Sequence, residues 1–374
     1  MTSWPAARRT AFDAATPLPP VTLPLHLAVG HVLAAPLVAL APLPSYDASA
    51  MDGWAVRGPG PWRVVGRVLA GDPCAPPLKE GEAVEVATGA CVPLGCEGVL
   101  AYEEGLGGGH PAGRHVRRTA EECARDEQVL PLRAVLTPAA TGLAAALGHD
   151  TLSVVRRPRV AALVTGSELL QGGLPGAGRV RDAVGPLLPA AVAGWRADLV
   201  SVEHVPDDRA QLLAAIGAAS AEVLLTSGAS SVGRADHLAA VLEELGAQVL
   251  VDGVDVRPGH PQLLARLPDG RLLVGLPGNP LAALCALVTM VAPLLAALSG
   301  RPLPALSRLA SREDLTALAV HRLVPVAVQA GCAVPTGYGA SSMLRGAALA
   351  DAFAVVEPDT DIPAGAPVSV VPLP

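Results

Sequence analysis

The sequence predicts a multidomain chain, α/β plus β, built around an α/β domain with a mainly parallel sheet. Three apolar runs carry the prediction, each ending in a glycine-bearing turn with polar groups: Arg159-Val-Ala-Ala-Leu-Val-Thr-Gly-Ser-Glu168, Val223-Leu-Leu-Thr-Ser-Gly-Ala-Ser-Ser-Val-Gly-Arg-Ala-Asp236 and Leu272-Leu-Val-Gly-Leu-Pro-Gly-Asn279. Short apolar runs flanked by helix-like stretches are strands buried on both faces of a parallel sheet. Loops after the carboxyl ends of such strands gather into one crevice, where ligands bind. A change of texture carries the β part: from Trp54 to about Arg133, short valine-rich runs alternate with Gly/Pro turns.

The elements follow in order. Residues 1–45 read as a helical or extended arm. An inserted β module covers 46–129, and Gly105–Gly113 forms its hairpin tip. Thr137-Pro138 starts a helix, with Thr as N-cap and Pro at the first helical position, and Gly148 stops it. This connecting helix (130–157) belongs with the arm. Residues 158–300 alternate strands with helices such as Asp207–Ala219 and His237–Leu245. Only short β-like runs remain in 301–374.

Bulk properties exclude several classes. At 374 residues the chain exceeds one core, and with 51% apolar residues but 2% aromatic its cores must be Ala, Val and Leu. The net charge of −7, without a basic run, excludes nucleic acid as a partner. Only Lys79 stands against the arginines, a compositional bias that bears on any motif expected to contain lysine. The six cysteines show no CxxC pair and no histidine at zinc spacing, so reduced thiols in a cytoplasmic protein are expected. Arg8-Arg9 resembles a twin-arginine signal, but Asp13, prolines, His26 and His31 interrupt it, and export is not expected. Leu281–Leu298 reaches membrane-spanning length, but it contains Pro293 and leaves a Pro-Gly-Asn-Pro turn, so it reads as a core helix and no membrane partner is expected.

Five segments carry candidate chemistry. In the second loop, Ser227, Gly228, Ser231 and Gly233 precede Asp236; glycines admit a ligand close to the backbone, although a plain turn with Asp236 as N-cap reads equally well. Glu168, Asp182 and Asp236 at one crevice rim suit Mg²⁺ shielding a phosphate, or are three separate caps. The turns Arg257-Pro-Gly-His260-Pro261 and Pro277-Gly278-Asn279-Pro280 are rigid; Arg257 can hold an oxyanion, and His260 can do so when protonated or as a neutral N–H donor. Ser45-Tyr-Asp-Ala-Ser-Ala-Met-Asp-Gly-Trp-Ala55 is too polar for a core strand and reads as a functional loop or a hinge.

Together these segments resemble the molybdopterin molybdenumtransferase family, related to the C-terminal domain of gephyrin. Leu43–Ala55 looks like the family's signature loop, and Glu82–Ala90 with Val92–Gly95 is similar to its β-module motif. Thr165–Leu169, Thr226–Asp236, Arg257–Pro261 and Leu276–Pro280 follow in the family's order. The resemblance implies a three-layer molybdopterin-binding domain, a small C-terminal β-barrel-like domain and a homodimer. It implies molybdenum insertion into adenylated molybdopterin with Mg²⁺, molybdate as co-substrate and AMP as product. The molybdopterin adenylyltransferase and receiving molybdoenzymes are the implied protein partners.

By the same resemblance, Ser227, Gly228 and Ser231 line the pterin site, together with Gly233, Asp182 and Pro277–Pro280. Glu168, Asp182 and Asp236 bind Mg²⁺ or steer water and phosphate. Asp52 and Thr88 act from the other subunit, alongside the catalytic Glu168 and Asp236, and Glu122 stands at a family Asp position. Arg257, His260, Pro261, Arg322 and Ser341 surround molybdate. The sequence departs where the family has Lys-Pro-Gly-Lys-Pro (Arg257, His260), a serine (Ala282), Asp-Ser-Asn (Asp182-Ala-Val184) and Gly-Gly (Gly228-Ala229). Two alternatives therefore stand: a non-enzymatic molybdopterin-binding paralogue, and a related adenylyltransferase that would not need the β module.

Overall fold

The structure, a computed structural model, describes residues 1–107, 109, 111–228 and 237–374. It divides into two compact units, one of Met1–Pro20 with Val155–Pro374 and one of Val21–Val154.

In the first unit, the three predicted strands lie side by side. The sheet order is Asp198–Val205, Arg159–Thr165, Val223–Ser227, Leu272–Leu276, Leu263–Arg266, Gln248–Asp252. The first three pairings are parallel and the last two antiparallel. Strands Val223–Ser227 and Leu272–Leu276 are buried at every position, which is why they read as unbroken apolar runs. Helices Arg209–Ala218 and Leu238–Glu244 pack on one face through Leu212, Ile216, Leu238 and Val241. Asp208 caps the first of these by accepting from Gln211 N–H at 2.8 Å.

The other face packs on the long apolar helix, Pro280–Leu298, which has a mean hydropathy of 2.5 and is 94% buried within the protein. Its length and composition match a membrane span, but here it forms the core. It contains a π-helical turn at Leu287–Val291. Helix Trp4–Asp13 lies against it: Trp4 Nε1 donates to Thr289 Oγ1 at 2.9 Å, and Arg8 donates to the Pro304 carbonyl at 2.6 Å. Residues 1–20 thus belong to the core of this unit.

The C-terminal strands close a five-stranded ring: His321–Gln329, Cys332–Pro335, Ser307–Ser311, Pro367–Pro372, Ala352–Val356 and back to His321–Gln329. Val326, Ala333, Ala354, Val356 and Val370 fill it. Closure removes the free sheet edges that short strands would otherwise expose. Strand Val254–Arg257 adds in parallel to His321–Gln329, and Thr2–Ser3 adds to that strand.

In the second unit, helix Pro138–Ala146 begins as the sequence predicts, with Thr137 Oγ1 accepting from Ala140 N–H at 3.1 Å. The β module is a four-stranded sheet ordered Arg63–Val68, Glu82–Val86, Gly53–Val56, Gly98–Ala101. Gly53 is obligatory there, since a Cβ would sit 1.8 Å from the Leu100 carbonyl oxygen. The expectation that all six cysteines are free thiols is corrected: Cys74 and Cys91 form a disulfide, with Cα atoms 5.1 Å apart, while Cys96, Cys123, Cys285 and Cys332 are free. A sequence separation of 17 carries no spacing signal; the fold of the β module brings the two together.

Candidate active site

The first unit holds two cavities at the carboxyl ends of its parallel strands. The larger, about 730 Å³, is lined by Thr165 and Glu168 after the first strand, Ser227 and Gly228 after the second, and Pro277–Pro280 after the third. The three strand-end loops therefore meet in one crevice. Gly228 has φ +86°, and a Cβ on it would lie 2.5 Å from the Thr165 carbonyl oxygen. Only glycine lets the second loop pass so close to the first strand. Thr165 Oγ1 donates to the Ser227 carbonyl at 2.6 Å and joins the two strand ends. Ser231, Gly233 and Asp236, predicted for the same loop, lie outside the described residues.

Asp182 also lines this cavity, but its oxygens are engaged. Oδ1 accepts from the amides of Val184 (2.9 Å) and Gly185 (3.0 Å), and Oδ2 accepts from His204 Nε2–H at 2.9 Å. With 5% exposure, it shapes the turn that forms the cavity wall. The sequence reading missed His204, which sits near the end of the edge strand Asp198–Val205 and carries no local motif. The reading also missed Arg181, the one cation among the described residues that line this cavity.

The predicted magnesium set of Glu168, Asp182 and Asp236 is described only in part, since Asp236 lies outside the described residues. Among the described residues, no three of His, Cys, Asp and Glu assemble as a metal site. Asp182 already accepts from two amides and His204, so Glu168 is the one carboxylate lining the cavity without such partners among the described residues.

The second cavity, about 550 Å³, adjoins the first through shared Pro261, Pro277 and Asn279. Arg257, His260, Pro261, Arg322 and Ser341 all line it, so the structure brings together five residues up to 84 positions apart. Its cations are placed by the sheet: Arg257 and Arg322 are register partners on adjacent parallel strands, so their side chains leave the same face. No carboxylate is among the described residues that line the cavity. Two guanidiniums side by side without a counter-charge repel each other and favour an anion. Arg322 also donates to the Thr316 carbonyl at 2.8 Å.

The remaining lining explains the sequence departures. His260 Nδ1–H donates to the Val254 carbonyl at 3.0 Å, so that nitrogen is already used. Ala282, 3% exposed, offers a methyl where a hydroxyl would be a donor. The Ser341 carbonyl accepts from the amides of Leu281 (3.0 Å) and Ala282 (3.1 Å), which seats the C-terminal segment on the start of the core helix.

In the second unit, the signature loop lies along the turn after strand Glu82–Val86. Asp52 Oδ1 accepts from the Thr88 amide at 2.7 Å and from Thr88 Oγ1 at 3.1 Å, so the two predicted residues form one exposed pair. Gly89 N–H donates to the Ser49 carbonyl, and Ser49 N–H to that of Ala90, both within 2.9 Å. Glu122 lines a separate cavity of about 590 Å³ with Tyr46, Arg117 and Glu121.

Comparison with known proteins agrees with this architecture. Three family descriptions match in succession: "MoeA N-terminal region (domain I and II)" over 2–148, "Probable molybdopterin binding domain" over 161–297, and "MoeA C-terminal region (domain IV)" over 308–373. A molybdopterin molybdenumtransferase of Synechococcus elongatus is 34% identical over 308 residues, covering 75% of this chain and 76% of that protein. One of Haemophilus influenzae is 32% identical over 304 residues, covering 76% and 75%. In fold, the chain matches the crystal structure of a molybdopterin biosynthesis MoeA protein of Pyrococcus horikoshii, with a TM-score of 0.83 at 24% identity over 100% of this chain and 99% of that one. By its three successive domain matches and a relative 34% identical over three quarters of both chains, the chain belongs to the molybdopterin molybdenumtransferase family of enzymes.

Proposed function

We propose that this chain inserts molybdenum into adenylated molybdopterin, with release of AMP, as a step of molybdenum cofactor biosynthesis. One observation carries the reading: a cavity at the strand ends, large enough for a pterin, adjoins a second cavity walled by two register-paired arginines and, among the described residues, free of carboxylates. The first suits an uncharged ring system approached by backbone at Gly228 and Gly278. The second suits a tetrahedral dianion such as molybdate.

In this reading Ser227, Gly228 and the Pro277–Pro280 turn hold the pterin. Asp182 and His204 keep the cavity wall in shape. Glu168 faces the reacting region and orients water or the leaving phosphate. Arg257 and Arg322 bind molybdate beside the wall residue Asn279, which both cavities share, and so hold it near the dithiolene sulfurs. Water attacks the phosphoanhydride, AMP leaves and molybdopterin keeps its own phosphate; the two dithiolene sulfurs ligate the metal as one molybdate oxygen departs as water with the two thiol protons. Asp52 and Thr88 are assigned to act from a second copy of the chain in a homodimer. The four-part division of the chain and its cytoplasmic location belong to the same proposal.

Two observations favour a second reading, a molybdopterin-binding paralogue that has lost turnover. Ala282 supplies no donor to the anion cavity, and His260 Nδ1 is committed to Val254. One missing donor to a buried oxyanion costs about 1–3 kcal/mol. The test supplies adenylated molybdopterin, Mg²⁺ and molybdate to the purified protein and follows AMP together with metal incorporation. Molybdate-dependent AMP release with incorporation is the expected result. Tight pterin binding with no AMP would overturn the enzyme reading in favour of the carrier.

A further inference from the structure

We propose that Cys74 and Cys91 form a reversible oxidative modification site that controls the turn bearing Thr88. Their Cα atoms are 5.1 Å apart, inside the range a disulfide spans without backbone movement. Cys74 is exposed and Cys91 half-buried. An exposed sulfur is open to attack by small thiols and disulfides, which distinguishes a labile bond from a permanent one.

The placement gives the bond its effect. Cys91 follows Thr88-Gly-Ala90 directly, and that turn is the one fastened to the signature loop through Thr88–Asp52, Gly89–Ser49 and Ala90–Ser49. Cys74 lies in Pro73-Cys-Ala-Pro-Pro77. The hydrogen bonds that anchor this loop stop short of it, at Leu69–Asp72 on one side and Leu78–Leu94 on the other. None reaches residues 73–77 among the described residues. The Cys74–Cys91 bond is therefore the covalent link that ties this loop to the Thr88 turn. Closing it removes freedom from both segments; opening it releases the loop and loosens the turn.

The chemistry balances with a low-molecular-weight disulfide such as oxidised glutathione as oxidant. The Cys74 thiolate attacks that disulfide, forming a mixed disulfide and expelling one glutathione thiolate. The Cys91 thiolate then attacks the Cys74 sulfur and expels the second. The protein dithiol loses two electrons and two protons, and one oxidised glutathione becomes two reduced molecules. Reduction runs the same exchange backwards.

The experiment equilibrates the full chain in glutathione buffers from fully reduced to fully oxidised, traps free thiols by alkylation and locates the labels by mass spectrometry. Labels on Cys74 and Cys91 should disappear together, while those on Cys123 and Cys285 persist after denaturation. Hydrogen exchange at the Thr88 and Gly89 amides should slow about tenfold on oxidation, as expected for a locally opened segment that becomes covalently anchored. In Cys74→Ser, whose site is exposed, exchange at those amides should no longer respond to the buffer. Both cysteines staying labelled in oxidised buffer would overturn the proposal, as would a bond that survives excess reduced glutathione. Loss of the labels without any change in exchange at Thr88 would overturn the coupling. The proposal rests on the assigned function only through the role of Thr88, and neither readout depends on turnover.

Discussion

Substituting Arg257 by methionine tests the anion cavity most directly. Arg257 and Arg322 leave the same face of two adjacent strands, in register, with no carboxylate among the described lining residues. Methionine keeps the unbranched stem and removes the charge. A charge-assisted hydrogen bond to a bound oxyanion is worth about 1.5–3 kcal/mol, so molybdate binding should weaken about 10- to 150-fold. The anion-free protein should behave differently. Like charges facing across paired strands cost about 0.2–1 kcal/mol, and Arg257→Met removes that repulsion, so stability without anion should hold or rise. Arg257 is the cleaner choice because Arg322 also holds the Thr316 carbonyl, and its loss would disturb the strand as well as the site. Calorimetric titration of molybdate, paired with urea unfolding in anion-free buffer, reads both quantities. Unchanged molybdate affinity, or a loss of anion-free stability as large as the loss of affinity, would refute the argument that the pair is held for an anion.

Three further outcomes are expected. Gly228→Ala places a Cβ at φ +86° and 2.5 Å from the Thr165 carbonyl oxygen, so it should cost at least about 2 kcal/mol in urea unfolding and weaken pterin binding with it; a neutral variant would mean the second loop can move aside. Thr137→Ala removes the acceptor for Ala140 N–H and should destabilise the chain by about 1 kcal/mol, seen as a lower unfolding midpoint at unchanged denaturant slope. The Thr119 amide, helped by Arg118 and the Thr119 hydroxyl against the opposing effect of burial, holds the Asp47 carboxyl below its ordinary value. A depressed carboxyl stabilises the fold above its unfolded value and loses that contribution as pH falls through the folded one, so Asp47→Asn should flatten the acid limb of a stability-versus-pH curve; an unchanged limb would count against it.

Much of the candidate site was legible as motifs but not as geometry. Ser227, Gly228 and the Pro277–Pro280 turn stand at strand ends in the sequence, and parallel strands leave their carboxyl-end loops no other place to meet. Asp182 reads as a potential metal ligand because a sequence shows a carboxylate and not its hydrogen bonds; two amides and His204 occupy it here. His204 and Arg181 were missed for the same reason, since neither lies in a pattern and each matters only through what it faces. The disulfide was missed because 17 residues of separation signify nothing until the β module folds.

By itself, then, the sequence determined the elements. Short apolar runs between helix-like stretches read as strands buried on both faces, and Thr137-Pro138 reads as a helix start. Those are local demands of solvation and sterics, and they act on neighbours along the chain. Tertiary structure decided which charges meet. Arg257 and Arg322 are 65 residues apart, and they become a pair only because Val254–Arg257 extends the C-terminal barrel in parallel at that register. Electrostatic repulsion and anion affinity fall with distance through space, so they are settled by the register of strands and not by the order of residues.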